Sequence, residues 1–351
     1  MVNTSALITA SASAFPATFN QSQVWEGFFA AHFANRRSAR LAFSASGIEQ
    51  RHAVVNPLAE DITEWSTARR MERYAVEAMP LGKEALSRAL DNAGLAASEL
   101  GLLAVASCTG YATPGIDVRL ARDLAMSPEL KRLFIGHVGC HAALPALEAV
   151  RDFVLVQGRP AALLCLELPS LHLQRASEEL EQAVVHALFS DGACALVLEP
   201  ATAGRRGLEV LDVAARSDTA TSSYMGWDIG DRGFTMTLSH RVPEVLAAEV
   251  APLVDGLLAR NGLARGDVTS WAVHPGGPRI LDVVGERLGL SEGDLAPSRE
   301  VLRRHGNCSS PTVLIVLEEL ARTAPTPTGG HIVMLAFGPG LTLYGALLRA
   351  R

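Results

Sequence analysis

The chain lacks the features of a membrane protein, a nucleic-acid binder or a disulfide scaffold. No apolar stretch approaches the roughly 20 residues that span a bilayer. The first 25 residues hold no Lys or Arg, so no charged segment opens a secretory signal. No basic run exceeds a pair such as Arg36-Arg37 or Arg303-Arg304, and the formal net charge is −6. That argues against a nucleic-acid partner and leaves any anionic ligand to a local patch. Cysteine is sparse: Cys108, Cys140, Cys165, Cys194 and Cys308 form no CxxC pair and make an odd total. A disulfide framework and a zinc site are both disfavoured. Reduced thiols, a cytoplasmic setting and no metal are the expectation.

What is present is core-forming material. Of 351 residues, 48% are hydrophobic and 19% charged, enough for one large α/β domain or two fused halves. Residues 1–50 are rich in Ala, Ser and Thr, with a helical patch near Gln23–Arg36. From Ser66 a long helical pattern runs to about Asn92 and stops at Gly94. Short apolar runs then read as buried strands at Leu102–Ser107, Ala161–Leu168, Cys194–Leu198, Trp271–Val273, His331–Phe337 and Leu341–Leu348. Helical patterns separate them at Val118–Ala125, Ala142–Val156, Val242–Asn261, Arg279–Leu288 and Pro311–Ala321. This alternation predicts a layered α/β protein.

The order of elements repeats. One strand ends in Ser-Cys-Thr-Gly at Cys108, a helix follows, and Cys140 opens the next helix. Later a strand ends in His-Pro-Gly-Gly at His274, a helix follows, and Asn307 opens the next helix. The spacings nearly match, 140 − 108 = 32 and 307 − 274 = 33. Two similarly folded halves are expected, 1–203 carrying the cysteine and 204–351 carrying the histidine and asparagine, joined near Pro200–Arg205.

A thiol, an imidazole and a carboxamide suffice to attack a thioester, move protons and hold an oxyanion. A helix N-terminus and a nearby imidazolium would each lower the thiol's pKa. Taken singly, each residue has an ordinary explanation. Cys140 can be a small core residue after glycine, His274 a turn residue, and Asn307 a helix cap. His137 and His141, beside Cys140, read as local or surface histidines. It is the three together, on matched loops of a repeated fold, that point to a site.

Those residues also carry a family resemblance. The segments GCHAA, ALFSDGA, HPGGPRILD, GNCSS and FGPGLT, in this order, resemble the chalcone-synthase-like type III polyketide synthases, over nearly the whole chain after about Phe43. The resemblance implies a thiolase-like αβαβα layered fold and a homodimer. Its substrates would be an acyl-CoA starter and malonyl-CoA, with no resident cofactor. It makes Cys140 the acyl carrier, with His274 and Asn307 handling malonyl decarboxylation, before ring closure to a pyrone, resorcinol or phloroglucinol. Phe189 and Phe234 match the aromatic pair between CoA tunnel and cavity. Gly338 and Pro339 match a cavity-shaping loop, Ser309 a residue behind the nucleophile, and Cys108 a cavity-wall position. Thr113 matches a residue that reaches into the partner's cavity. Met225 and Trp227 fall near the expected starter pocket. The CoA-binding basic residues do not align cleanly, and Arg37, Arg40, Arg51 and Arg279 are the candidates. A fatty-acid-initiating ketoacyl synthase shares Cys-His-Asn, but HPGG and FGPG argue against it. A non-catalytic acyl-binding scaffold would not need all three groups intact.

Overall fold

The computed structural model describes residues 5–175 and 179–351, so the charged stretch 171–184 lies partly outside the described residues. It opens with β1 (Ala6–Ala14), a strand of mostly small residues in the middle of the main sheet. A short pair, β2 (Thr18–Asn20) and β3 (Gln50–His52), brackets the brief helices α1 (Gln21–Val24), α2 (Ala30–His32) and α3 (Arg37–Ser44). The long helix α4 (Thr67–Ala93) follows; the Ser66 side chain accepts the Arg69 N–H at its start, and Gly94 ends it at φ +72°. Next come β4 (Leu102–Ala106), α5 (Ile116–Asp123), β5 (Lys131–Ile135) and α6 (Ala143–Gln157). Then β6 (Ala161–Glu167), α7 (Leu180–Leu188) and β7 (Gly192–Pro200) lead to β8 (Leu208–Ser217). A hairpin of β9 (Met225–Gly230) and β10 (Gly233–Leu238) precedes α8 (Val242–Ala259), β11 (Val268–Val273) and α9 (Pro278–Leu288). The chain closes with α10 (Glu292–His305), α11 (Thr312–Thr323), β12 (His331–Gly338) and β13 (Thr342–Ala350).

The nine-stranded sheet has the order β11-β12-β13-β8-β1-β7-β6-β4-β5. Outward from its centre, β8-β13-β12-β11 repeats the order of β1-β7-β6-β4. Pairing directions repeat too. β4 and β6 are parallel, as are β11 and β12, while the remaining pairs within each arm are antiparallel. Among the described strands of this sheet, β5 alone has no counterpart. The arms join through two residue pairs, Leu7–Glu209 and Ile8–Leu208.

Alternation along the strands turns this sheet into five layers. Ala104 and Leu163 of one arm, with Ala272 and Met334 of the other, pack around Leu147 of α6 and Val316 of α11. The intervening residues face outward: Val105 and Leu164 meet α4, and Trp271 and Val333 meet α8 and α9. Each buried Val or Leu contributes roughly 1.5–3 kcal/mol of transfer free energy. The result is the expected α/β thiolase-like αβαβα layering, and it brings the N-terminal ends of α6 and α11 toward one region.

Candidate active site

Cys140 sits in the turn just before α6, 6% exposed, with the Ala142 N–H donating to Gly139 O at 3.0 Å. Gly139 has φ +84°, and a Cβ there would lie 2.6 Å from Pro339 Cδ. A Cβ on Gly338 would collide with the His141 ring. Glycine at both positions lets the 338–340 loop press against the back of the nucleophile's turn. Gly338 and Pro339 thus buttress Cys140 rather than line its cavity; their neighbours Phe337 and Leu341 do that. Of the two readings given for His141, local or surface, burial and stacking on Tyr344 exclude the surface one.

His274 follows the last residue of β11, its N–H donating to Leu335 O at 2.8 Å. It is 1% exposed and its Nδ1 has no hydrogen-bond partner. Asn307 comes after α10, beyond Gly306 at φ +69°. Its Oδ1 accepts the Ser309 N–H at 2.8 Å, which turns the Nδ2 donor the other way, 3.4 Å from Gly276 O in the His274 loop. Cys140, His274 and Asn307 all line one cavity of about 610 Å³.

Burial sets the protonation states. It pushes the Cys140 thiol up to about 12, although the Ser309 hydroxyl pulls the other way. Burial also pushes the His274 imidazole down to about 3, with a smaller contribution from His141. The expected lowering of the thiol pKa is therefore not found, because the cost of desolvating a thiolate exceeds what the turn's N–H groups return. Thiol and imidazole are both neutral. Proton transfer between them would create opposite charges that stabilise each other in a medium of low polarity. Behind the thiol, Glu167 is fully buried and its pKa is raised by burial. It accepts the Cys108 N–H at 3.0 Å and the Ser310 hydroxyl at 2.9 Å. Cys108 lies on this rear side, near Cys140 and Ser309, and is absent from the cavity lining.

A second, smaller cavity of about 50 Å³ lies beyond the first, and Phe189 and Met236 line both. Helix α7 is the partition. Its Leu180, Glu181, Val184 and Leu188 face the large cavity, while Gln182, Val185 and His186 face the small one. This corrects the expectation for Phe234, which stacks on His172 with ring centroids 4.2 Å apart and lines the inner cavity alone. The residue standing with Phe189 at the boundary is Met236, two positions along the same face of β10. Sequence reasoning missed it by favouring an aromatic side chain; the strand's period of two keeps both positions open. Met225 lines the large cavity and Trp227 the small one.

The arginines separate clearly. Arg51 is corrected: it is half-buried and donates to His186 O at 2.6 Å and to Phe189 O, and desolvation lowers its pKa to about 10. It is a strut under the partition, not a surface contact for CoA. Arg279 lines the large cavity and lies 3.8 Å from Glu286. Arg37 and Arg40 are exposed on α3, whose Ala42 also lines that cavity. Thr113 is exposed and lines neither cavity.

Comparison with known proteins places nearly the whole chain beside one family. Residues 4–201 match the family described as chalcone and stilbene synthases, N-terminal domain, and residues 218–351 match its C-terminal domain. The chain is 36% identical over 322 residues to a 1,3,6,8-tetrahydroxynaphthalene synthase of Streptomyces peucetius subsp. caesius, covering 90% of this chain and 84% of that protein. It is 35% identical over 320 residues to the alpha-pyrone synthesis polyketide synthase-like Pks18 of Mycobacterium tuberculosis, covering 87% and 80%. The crystal structure of PKS-I from the brown alga Ectocarpus siliculosus superimposes with a TM-score of 0.90 at 28% identity, over 99% of this chain and 98% of that one.

Proposed function

Because the chain belongs to the chalcone and stilbene synthase family, we propose that Cys140, His274 and Asn307 are its catalytic residues and that acyl-CoA and malonyl-CoA meet in the large cavity. The protein is a type III polyketide synthase, an acyltransferase of the condensing kind. The observation that supports these roles is the convergence of the three side chains on one cavity from both arms of the sheet.

The Cys140 thiol attacks the starter's thioester carbonyl, its proton passes to His274, and CoA departs as the thiol. Malonyl-CoA then loses its carboxylate as CO₂. The electron pair left behind spreads onto the thioester oxygen, where His274 and the Asn307 Nδ2–H donate hydrogen bonds. The enolate carbon attacks the Cys140 thioester; a C–C bond forms and the bond to sulfur breaks. Repetition and ring closure give a pyrone, resorcinol or phloroglucinol-type product. The similar proteins named for a tetrahydroxynaphthalene and an alpha-pyrone make ring products of this general kind.

A homodimer belongs to the same proposal. β5 is a free sheet edge with Leu133 37% and Phe134 41% exposed, and Tyr111 nearby in sequence is 65% exposed. An open apolar edge is normally covered. With a second copy on that edge, Thr113 is available to the partner's cavity rather than its own. We place the boundary between halves at 203/204, within the link from β7 to β8, and the CoA phosphates near Arg279, Arg37 and Arg40. The described residues contain no helix long and apolar enough to cross a membrane, and all five cysteines are free, which fits a reducing cytoplasm. The test is Cys140→Ala, assayed with acyl-CoA and malonyl-CoA: product is expected to vanish while the dimer stays folded. Unchanged turnover rejects the assignment.

A further inference from the structure

Two imidazoles that line neither cavity meet behind the catalytic loop: His52 Nε2 lies 2.9 Å from His305 Nδ1, 253 residues away in the chain. Phe15 lies over both rings, its centroid 4.5 Å from that of His52 and 4.3 Å from that of His305. His52 is the buried last residue of β3, and His305 is the last residue of α10, two positions before Asn307. Burial holds the two rings down at about 4 and about 3, and Arg304 beside them acts in the same direction, so both are neutral near pH 7. Glu300 opposes this on His305, but it is engaged by Arg303 at 2.7 Å. A neutral imidazole has a single N–H. That of His52 donates to the Pro16 carbonyl, which can only accept. His52 Nε2 is therefore the acceptor, and the His305 Nδ1–H is the donor.

This bond closes a circuit of contacts that runs through Asn307. The His52 N–H donates to Ser190 Oγ at 2.7 Å, and His52 O accepts the Asp191 N–H at 2.9 Å. The Ser190 N–H donates to Asn307 O, and Gly306 leads from Asn307 back to His305. Gly306 is at φ +69°, and a Cβ there would lie 2.9 Å from Ser190 Cβ. Glycine is required by that approach, yet glycine by itself does little to fix the direction in which the chain leaves α10. The bridge between Phe189 and Asn307 holds the loop beyond Gly306. Before Gly306, the histidine pair supplies the restraint, with the Cys308 thiol 3.5 Å from His305 O.

We propose that the His52–His305 hydrogen bond positions Asn307, fixing the direction in which its Nδ2 donor meets the enolate oxygen. This rests on the condensing-enzyme reading above. His305 is a positioning residue: it touches neither substrate nor reacting atoms and acts through the backbone of Gly306. Asn307 Oδ1 is anchored to the Ser309 N–H within the same loop, so a shift of the loop carries Nδ2 with it relative to His274. A displacement of about 1 Å at such a group can cost on the order of 10²-fold in rate.

The experiment measures CO₂ release from malonyl-CoA by the purified full chain as wild type, His305→Phe and His305→Asn. Phenylalanine keeps a ring against Phe15 and removes the N–H; asparagine returns an N–H at the reach of Nδ1 without the ring. Rates are expressed per Cys140 thiol alkylated by iodoacetamide in a parallel sample, so that unfolded protein is not counted as slow enzyme. His305→Phe is expected to lower kcat about tenfold with KM for malonyl-CoA unchanged, and His305→Asn to recover about half or more of the wild-type kcat. A merely structural role would reduce the number of reactive thiols and leave kcat per site alone; that result overturns the proposal, as does a His305→Asn variant no better than His305→Phe. Should His305→Phe not fold, His52→Leu against His52→Gln, whose Oε1 accepts in place of Nε2, makes the same comparison. If the wild type releases no CO₂, the condensing reading itself fails, whereas full activity in His305→Phe removes the positioning role alone.

Discussion

Phe189 and Asn307 are joined by an isolated parallel bridge: the Asn307 N–H donates to Leu188 O at 2.9 Å, and Asn307 O accepts the Ser190 N–H at 2.9 Å. One residue stands at the boundary between the two cavities; the other aims an amide into the catalytic one. The bridge ties the end of α7 to the loop before α11, so partition and oxyanion donor share one piece of backbone. Arg51 reinforces it from beneath through His186 O and Phe189 O.

Asn307→Asp tests the donor without disturbing the bridge. The carboxylate keeps an oxygen for the Ser309 N–H but loses the Nδ2–H and adds negative charge where the enolate oxygen forms. Malonyl-CoA decarboxylation, followed by CO₂ release, should fall roughly 10²–10³-fold. Retention of most of that activity would remove Asn307 from the proposed mechanism.

Thiol reactivity should follow the protonation state of Cys140. With Cys140 at about 12, the thiolate fraction is small near neutrality and rises tenfold per pH unit. Alkylation of Cys140 by iodoacetamide, read by intact-protein mass, should therefore climb steadily between about pH 7 and 9. Ser309→Ala, which removes the hydroxyl favouring the thiolate, should slow it at every pH. A rate independent of pH over that range would mean that a thiolate–imidazolium pair is already formed.

Much of this site was legible because its parts stand at element boundaries that sequence patterns mark well. Strands ending in Cys108 and His274, and turns at Gly139 and Gly306, fall close to where hydropathy and glycine put them. The misses have physical causes. β1 escaped notice because its Ala and Ser residues carry little hydrophobic signal, yet small side chains are what a central strand packed between helices accommodates. Helix α10 contains Gly293 and Pro297, which interrupt its apolar period. Arg51 looked like a surface cation because a sequence does not reveal that backbone carbonyls will surround it. Phe234 and Met236 share a strand face, so periodicity admits either, and only the positions of α7 and the cavity separate them.

The open edge gives a prediction about assembly. Phe134→Glu places a charge on the exposed face of β5, where a second copy would bury it. Light scattering after size exclusion should show a dimer for the wild type and a monomer for the variant. A wild-type monomer at micromolar concentration would reject the dimer and leave Thr113 without a role in catalysis.

Acid should unfold the protein well above the usual carboxylate range. Burial holds His52, His141 and His172 down at about 4, and His186, His274 and His305 at about 3. In the unfolded chain each titrates near 6.5. Between these values the unfolded state binds protons that the folded state refuses, so stability is full above about pH 6.5 and is lost as pH falls toward 4. Each such histidine contributes up to about 1.4 kcal/mol per pH unit. Asp191 works in the opposite sense: burial raises it to about 6, and its contribution is lost as pH rises through that value. Burial also raises Glu148 and Glu167 and lowers His32, so three carboxyls stand against seven imidazoles and the histidines dominate. Urea midpoints measured from about pH 7.5 to 4.5 should fall steeply below 6.5, and a flat profile would mean that these rings accept protons without leaving the fold.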